Sequence, residues 1–134
     1  MKKISILIPC FNEKELIEKS ILQAINLKKV NKQILIIDNG SKDGSQKIIE
    51  KYKNKRNFKI ILRKKNLGYG CTVKEGIKLS SNKYMYVHYS DCEYEISTCL
   101  SMINLAEKNN LDAVFGSRLK GLSLKKKIKY FKKK

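Results

Sequence analysis

Short apolar runs rich in β-branched residues alternate along this chain with segments of helical period, and that alternation constrains the fold more than any other feature. Strand-length runs fall at Lys3 to Pro9, Gln33 to Asp38, Phe58 to Leu62 and Tyr84 to Tyr89, with a further one at Asp112 to Phe115. Strands separated by helical segments are joined by crossovers and lie parallel. The second run is apolar through Ile34-Leu35-Ile36-Ile37, as expected of a strand covered by helices on both faces. The pattern predicts an α/β domain: a mostly parallel five-stranded sheet with helices on either side.

The helices follow from the same reading. Asn12 offers an N-cap with Glu15 three residues on, as in a capping box, before a helix that buries Ile17, Ile21 and Ile25. A second helix is expected from about Asp43, with Ile48, Ile49 and Tyr52 inward. The loop from Lys64 to Gly70 leads to a third helix bearing Val73 and Ile77. A fourth, from Ser97, presents Cys99, Met102, Ile103 and Ala106 at three- and four-residue spacing.

With 134 residues, the chain is one domain's worth of polypeptide, long enough to bury a single core. The predicted domain covers residues 1–118 and is followed by a basic tail, 119–134. No apolar run approaches the roughly 20 residues of a transmembrane helix. The start Met1-Lys2-Lys3 imitates a signal peptide, but Pro9-Cys10-Phe11-Asn12-Glu13 supplies no cleavage site, so the stretch reads as a strand. Cys10, Cys71, Cys92 and Cys99 show no metal-binding spacing and are expected as reduced thiols.

The net charge of +18 is unevenly placed. Residues 118 to 134 hold nine basic side chains and no acid, a block that attracts phosphate from nucleic acid, an anionic membrane or a charged ligand. Within it Leu124, Ile128 and Phe131 share one helical face, which suits either an amphipathic helix lying on an anionic membrane or a basic disordered end.

In open parallel sheets ligands bind beyond the carboxyl ends of the strands, where helix N-termini and loop amides converge. Strand one ends at Phe11-Asn12-Glu13, strand two at Asp38, strand four at Asp91 and Glu93, and strand five at Ser117-Arg118. Each is open to a plainer reading: Asp38-Asn39-Gly40-Ser41 as a helix-capping turn, Asp91 and Glu93 as a solvated loop. Together they gather acids and an arginine on one rim. Hard oxygen ligands such as Asp91 and Glu93 suit Mg²⁺ or Mn²⁺ bridging a diphosphate, and Asp38 suits a hydrogen-bond acceptor for a base or ribose. Gly68-Tyr69-Gly70 opens like a dinucleotide-binding loop, but Val73 stands at the third glycine and the loop follows strand three, which excludes that reading. His88, the sole histidine, has no nucleophile or acid arranged beside it and reads as a packed residue.

The ordered motifs resemble those of the family 2 glycosyltransferases, nearest the enzymes that transfer sugar to dolichyl or another polyprenyl phosphate. Ile4 to Glu13 resembles the opening strand and its P-x-[YF]-N-E loop, and Ile36 to Ser45 resembles V-D-D-G-S-x-D-G-T. Asn66-Leu67-Gly68-Tyr69-Gly70 matches N-x-G-x-G, Gly76 a helix glycine, and Val114 to Arg118 matches V-x-G-S-R. The resemblance implies the Rossmann-like GT-A fold and a nucleoside diphosphate sugar, GDP- or UDP-linked, held through Mg²⁺ or Mn²⁺. It further implies that Pro9, Phe11, Glu13 and Asp38 touch the nucleoside, that Ser90, Asp91 and Arg118 line the donor side, and that Asp91 and Glu93 meet the metal.

The D-x-D signature falls on Tyr89-Ser90-Asp91, so tyrosine replaces the first acid. By the same resemblance the sequence covers the donor half, and no catalytic base is assigned. A protein partner or oligomer supplying the acceptor half is one expectation, as is a cytoplasmic location, peripheral on the cytoplasmic face of a membrane. The competing readings are a sugar-nucleotide-binding protein without turnover and a basic nucleic-acid-binding module working through lysine–phosphate contacts.

Overall fold

The computed structural model describes residues 1–117, which fall into two units, 1–100 and 101 onward. The first unit holds β1 (Lys2–Cys10), α1 (Ile17–Asn26), β2 (Val30–Asp38), α2 (Ser45–Glu50), β3 (Phe58–Leu62), α3 (Tyr69–Leu79) and β4 (Tyr84–Val87). The helix α4 (Thr98–Asn109) starts at its end. The four strands form one sheet in the order β3-β2-β1-β4, every pair parallel. The chain thus winds outward from β1 through β2 to β3, then crosses back to place β4 on the other side of β1.

The two central strands run in register from Lys2 opposite Val30 to Cys10 opposite Asp38. Their alternation sorts the core into two faces. Leu7, Leu35 and Ile37 are buried together against Val73 and Leu79 of α3 and against Ile61, Met85 and Val87. Ile4, Ile6, Ile8, Ile34 and Ile36 point to the opposite face, where α1 packs on β1 and buries Ile17, Ile21 and Ala24. Each such side chain contributes about 1.5–3 kcal/mol by leaving water. Gly76 lets α3 approach: a Cβ there would lie 2.5 Å from a methyl carbon of Leu7.

Three local expectations are corrected. Asn12 does not cap α1: it takes a left-handed backbone (φ 54°), and its side-chain oxygen accepts from Lys42 N–H at 2.9 Å instead of from the helix. The helix begins later, with the Glu13 carbonyl accepting from both Leu16 and Ile17 N–H. On α3, Ile77 lies on the outward side and is 59% exposed. The segment Asp112 to Phe115 is no strand among the described residues, and Phe115 is 90% exposed. Preceding it, Asn110 adopts a positive φ of 50° and Leu111 N–H returns to the Ala106 carbonyl at 2.9 Å, the closure of a Schellman-type helix end. That helix stop satisfies carbonyls of the last turn of α4, where a strand was expected to follow. Arg118 and the tail 119–134, with its membrane-surface reading, lie outside the described residues. Among the described residues no helix is long and apolar enough to cross a membrane.

Candidate functional site

The sheet opens at one place. Leu7 is the last β1 residue paired with β4, and its carbonyl still accepts from His88 N–H at 2.8 Å, but β1 continues to Cys10 without β4 alongside. β1 and β4 therefore part at the carboxyl edge, where the winding direction reverses, the position at which doubly wound sheets have their ligand-binding crevice.

One wall of the crevice is a ladder between two loops. Asn39 N–H donates to the Cys10 carbonyl at 2.8 Å. Three successive amides after β1 then donate to side chains of the Asp38–Ser45 loop: Asn12 to Ser41 Oγ (2.8 Å), Glu13 to Ser45 Oγ (3.0 Å) and Lys14 to Asp43 Oδ2 (2.8 Å). Ser45 in turn donates to Asp43 Oδ1 at 2.6 Å. The repeated small hydroxyls and acids of Asp38-Asn39-Gly40-Ser41-Lys42-Asp43-Gly44-Ser45 thus stand in for a missing strand neighbour.

Asp38 anchors this loop. It is fully buried, and its Oδ1 accepts from Gly40 N–H (3.0 Å), Ser41 N–H (3.0 Å) and the Gln46 side-chain amide (2.5 Å), while Oδ2 accepts from Ser41 Oγ. A carboxylate holding four donors is strongly committed to its own loop. Asn39 carries the connection on to the next loop. Its side-chain oxygen accepts from Arg63 (2.8 Å) and Leu67 N–H (3.1 Å), and its amide donates to Asn66 Oδ1 (2.5 Å). Arg63, barely exposed, also donates to Thr72 Oγ1 at 2.9 Å and pairs with Glu75 on α3. Gly40, at φ 86°, lets these loops touch: a Cβ there would stand 2.7 Å from the Lys65 carbonyl carbon.

Acids meet across the crevice. Glu13 has its carboxyl raised above the ordinary range by burial and then by the charges of Asp91 and Asp43. Asp91 follows β4 and Glu13 follows β1, so the charge of a carboxylate from one strand end acts on a carboxyl from the other. Asp91 is part-buried, and its Oδ1 accepts from Glu93 N–H at 3.1 Å; Glu93 itself is exposed. Phe11 is 45% exposed at the same edge, Pro9 is part-buried and Ser90 is buried.

His88 is 1% exposed, with Nε2 3.1 Å from Gln23 Oε1. Burial lowers its pKa, opposed by the charge of Asp91. It is a packed histidine. Burial and Asp38 likewise push the Cys10 thiol up to about 12, leaving it no thiolate character. All four cysteines are free.

At the amino edge of the sheet, far from these acids along every strand, a cavity of about 350 Å³ is lined by Lys3, Asn31, Gln33, Asn82 and neighbours. Its polar groups serve one another. Ser5 Oγ and Ser81 N–H donate to Gln33 Oε1, Gln33 donates to the Leu79 carbonyl, and Asn82 donates to Ser5 Oγ. That edge is fastening, and the carboxyl edge carries the candidate site.

Sequence reasoning missed the fasteners Ser41, Asp43, Ser45, Gln46 and Arg63. The dense run of hydroxyls and acids around Gly40 and Gly44 was the signal for the first three. Gln46 and Arg63 had none, because their partners lie on other elements.

Comparison with known proteins bears on the family and the fold. The model of Glycosyl transferase family 2 matches residues 5–132. A dolichyl-phosphate beta-glucosyltransferase of Dictyostelium discoideum is 31% identical over 129 residues, covering 86% of this chain and 39% of that protein. Among solved structures, Staphylococcus aureus TarS 1–349 in complex with UDP-GlcNAc superposes with a TM-score of 0.67 at 22% identity, covering 92% of this chain and 37% of that one. The mannosyltransferase PcManGT of Pyrobaculum calidifontis, in complex with GDP-Man and Mn²⁺, gives 0.63 at 13% identity over 73% and 30% of the two chains. The chain spans from 28% to 56% of the length of its curated relatives. From the sequence match and the shared GT-A fold, the chain belongs to glycosyl transferase family 2.

Proposed function

We propose that this chain binds a nucleoside diphosphate sugar in the crevice between the ends of β1 and β4 and serves glycosyl transfer from it. The observation that carries the reading is the placement of Glu13 after β1 and Asp91 after β4, strands that part at the carboxyl edge; burial and then the charge of Asp91 raise the Glu13 carboxyl. Acids held together at a ligand-binding edge are stabilised by a cation or by donor groups of a ligand.

The donor set fits a hard divalent cation in part. Among the described residues no group of three His, Cys, Asp or Glu converges, so no all-protein cage exists. Mg²⁺ and Mn²⁺ accept one or two carboxylates completed by water and diphosphate oxygens, and Asp91 and Glu93 would be those carboxylates. A cation bound there would offset the negative charge that develops on the departing diphosphate.

The chain's own residues bind and orient. Phe11 offers its exposed ring to the base, with Pro9 behind it and Glu13 as an acceptor at the nucleoside. Asp38 acts from inside, shaping the loop that presents Glu13. Ser90 and Arg118 belong to the donor side. In the transfer, an acceptor oxygen attacks the anomeric carbon while its bond to the diphosphate breaks. The acceptor proposed is a polyprenyl or dolichyl phosphate, whose oxygen is already nucleophilic at neutral pH; the Dictyostelium relative's name supports this class. The basic residues 118–134 would favour such an anionic lipid at the cytoplasmic face of a membrane, and a partner or second subunit could supply acceptor contacts.

Titration calorimetry with UDP and GDP, each with Mn²⁺ and with EDTA, tests the reading. Saturable binding of one nucleotide, tighter with Mn²⁺, is expected. Absence of binding for both, with the fold intact, refutes it.

A further inference from the structure

The acids of the crevice leave a problem for any diphosphate: Glu13, Asp91 and Asp43 present negative charge to a negative ligand. Beside them stands an uncharged pair. Tyr89, at the end of β4, and Tyr69, in the first turn of α3, bring their hydroxyls to 2.8 Å, with rings stacked at 5.9 Å and 17°. Tyr94 closes on the other side of Tyr89 at 6.4 Å. Tyr89 and Asp91 share one tight turn, closed by Cys92 N–H on the Tyr89 carbonyl at 3.3 Å, with Cys92 at φ 56°. The Tyr89 carbonyl also accepts from the buried Ser20 hydroxyl at 3.5 Å, which fixes the turn to α1.

A core tyrosine pair would be buried, yet Tyr69 is 49% exposed and Tyr89 41%. Two phenols in mutual contact use one O–H between themselves. The second O–H is not used within the pair, and both side chains are partly exposed, so one donor remains for a ligand at this edge. A carboxylate at the same place would only accept.

We infer that the Tyr69–Tyr89 hydroxyl pair is a neutral donor that binds a diphosphate oxygen of the nucleotide, beside Asp91. This rests on the donor-site reading above and assigns the pair a binding role within it. Phosphate oxygens are acceptors only, so an outward O–H complements them without requiring a cation, and that separates the pair's contribution from any metal's.

Tyr69→Phe and Tyr89→Phe keep both rings and the stacking, and thermal melts check that the fold is unchanged. Calorimetry would compare UDP with uridine and GDP with guanosine, in EDTA and in Mn²⁺. Each single variant still leaves one phenolic O–H to offer, so the double variant Tyr69→Phe/Tyr89→Phe is decisive: it should weaken the diphosphate that binds by about five- to tenfold in both buffers, the loss expected for one hydrogen bond, while the matching nucleoside is unaffected. Unchanged diphosphate affinity overturns the inference, as does an equal loss for the nucleoside, which would place the pair at the base or ribose. A loss seen in Mn²⁺ alone also overturns it, making the pair part of a metal shell. If the unsubstituted chain binds neither diphosphate, the donor-site reading fails and this role with it.

Discussion

Asp38 ends β2 and Asp91 follows β4, on either side of β1 at the same carboxyl edge, yet their surroundings differ completely. Asp38 is sealed from solvent and holds four donors, all from the loop and helix that follow it. Asp91 is part-exposed; its Oδ1 accepts one backbone amide of its own turn, that of Glu93, and its charge acts on Glu13. Identical side chains are used differently: one builds the rim, and the other holds a single amide of its own turn, which is why the proposed ligand site is placed there. Catalytic and binding sites in general combine such a fastened frame with a few groups held against their own electrostatic preference.

The largest effect expected from breaking this contrast is on stability. Asp38→Asn replaces an acceptor oxygen with an N–H₂ that faces donors, which should cost about 3 kcal/mol and lower the melting temperature by roughly 10 °C. A melt within a degree or two of the parent would mean the loop does not depend on that carboxylate.

Gly40→Ala comes next, at about 2 kcal/mol, because it combines a strained positive φ with a clash against the Lys65 backbone. Hydrogen exchange should show its loss concentrated in residues 38–45 and 63–68. A uniform change across the sheet would argue that these loops are not coupled through Gly40.

Asp91→Asn should behave oppositely, leaving the melting temperature within the range of a neutral surface change while reducing Mn²⁺-dependent nucleotide affinity at least tenfold, about 1.4 kcal/mol. Full retention of affinity would remove Asp91 from the metal site. Loss of fold would erase the contrast with Asp38.

The smallest effect concerns His88, beside the same turn. Burial depresses its pKa in the folded chain below the ordinary value of about 6.5, so the unfolded chain takes up the proton first. Its contribution to stability is whole above that pH and is lost as pH falls toward and through the folded value. The parent should therefore lose melting temperature between pH 7 and pH 5 more steeply than His88→Gln, whose amide preserves a polar partner for Gln23. Parallel curves would show that His88 takes up its proton at the same pH in the folded and unfolded chain.

The sequence made the strands legible because β1, β2 and β3 are nearly continuous apolar runs, and a residue buried on both faces has no alternative chemistry. It made the crevice acids legible because parallel strands must deliver their ends to one edge. It misread Asn12 and Asp112 to Phe115, where several local solutions compete. Asn12 could have capped a helix, but Ser41 and Lys42, some thirty residues away, claim its backbone and side chain. Val114 and Phe115 have strand character, but strand character cannot supply a neighbour to hydrogen-bond with.

What the sequence determined by itself, then, is the set of elements, their parallel arrangement and the edge where the polar loops collect, since these follow from hydrophobic period and chain connectivity. Tertiary structure alone decided which of the edge residues are spent on the frame and which face the crevice. Two aspartates are indistinguishable until the number of donors around each is known, and those donors come from Gly40, Ser41, Gln46 and Glu93 only once the chain has turned. The same holds for Tyr69 and Tyr89, twenty residues apart and on different elements, whose hydroxyls meet because β4 crosses back to lie beside β1 and its end returns to the start of α3.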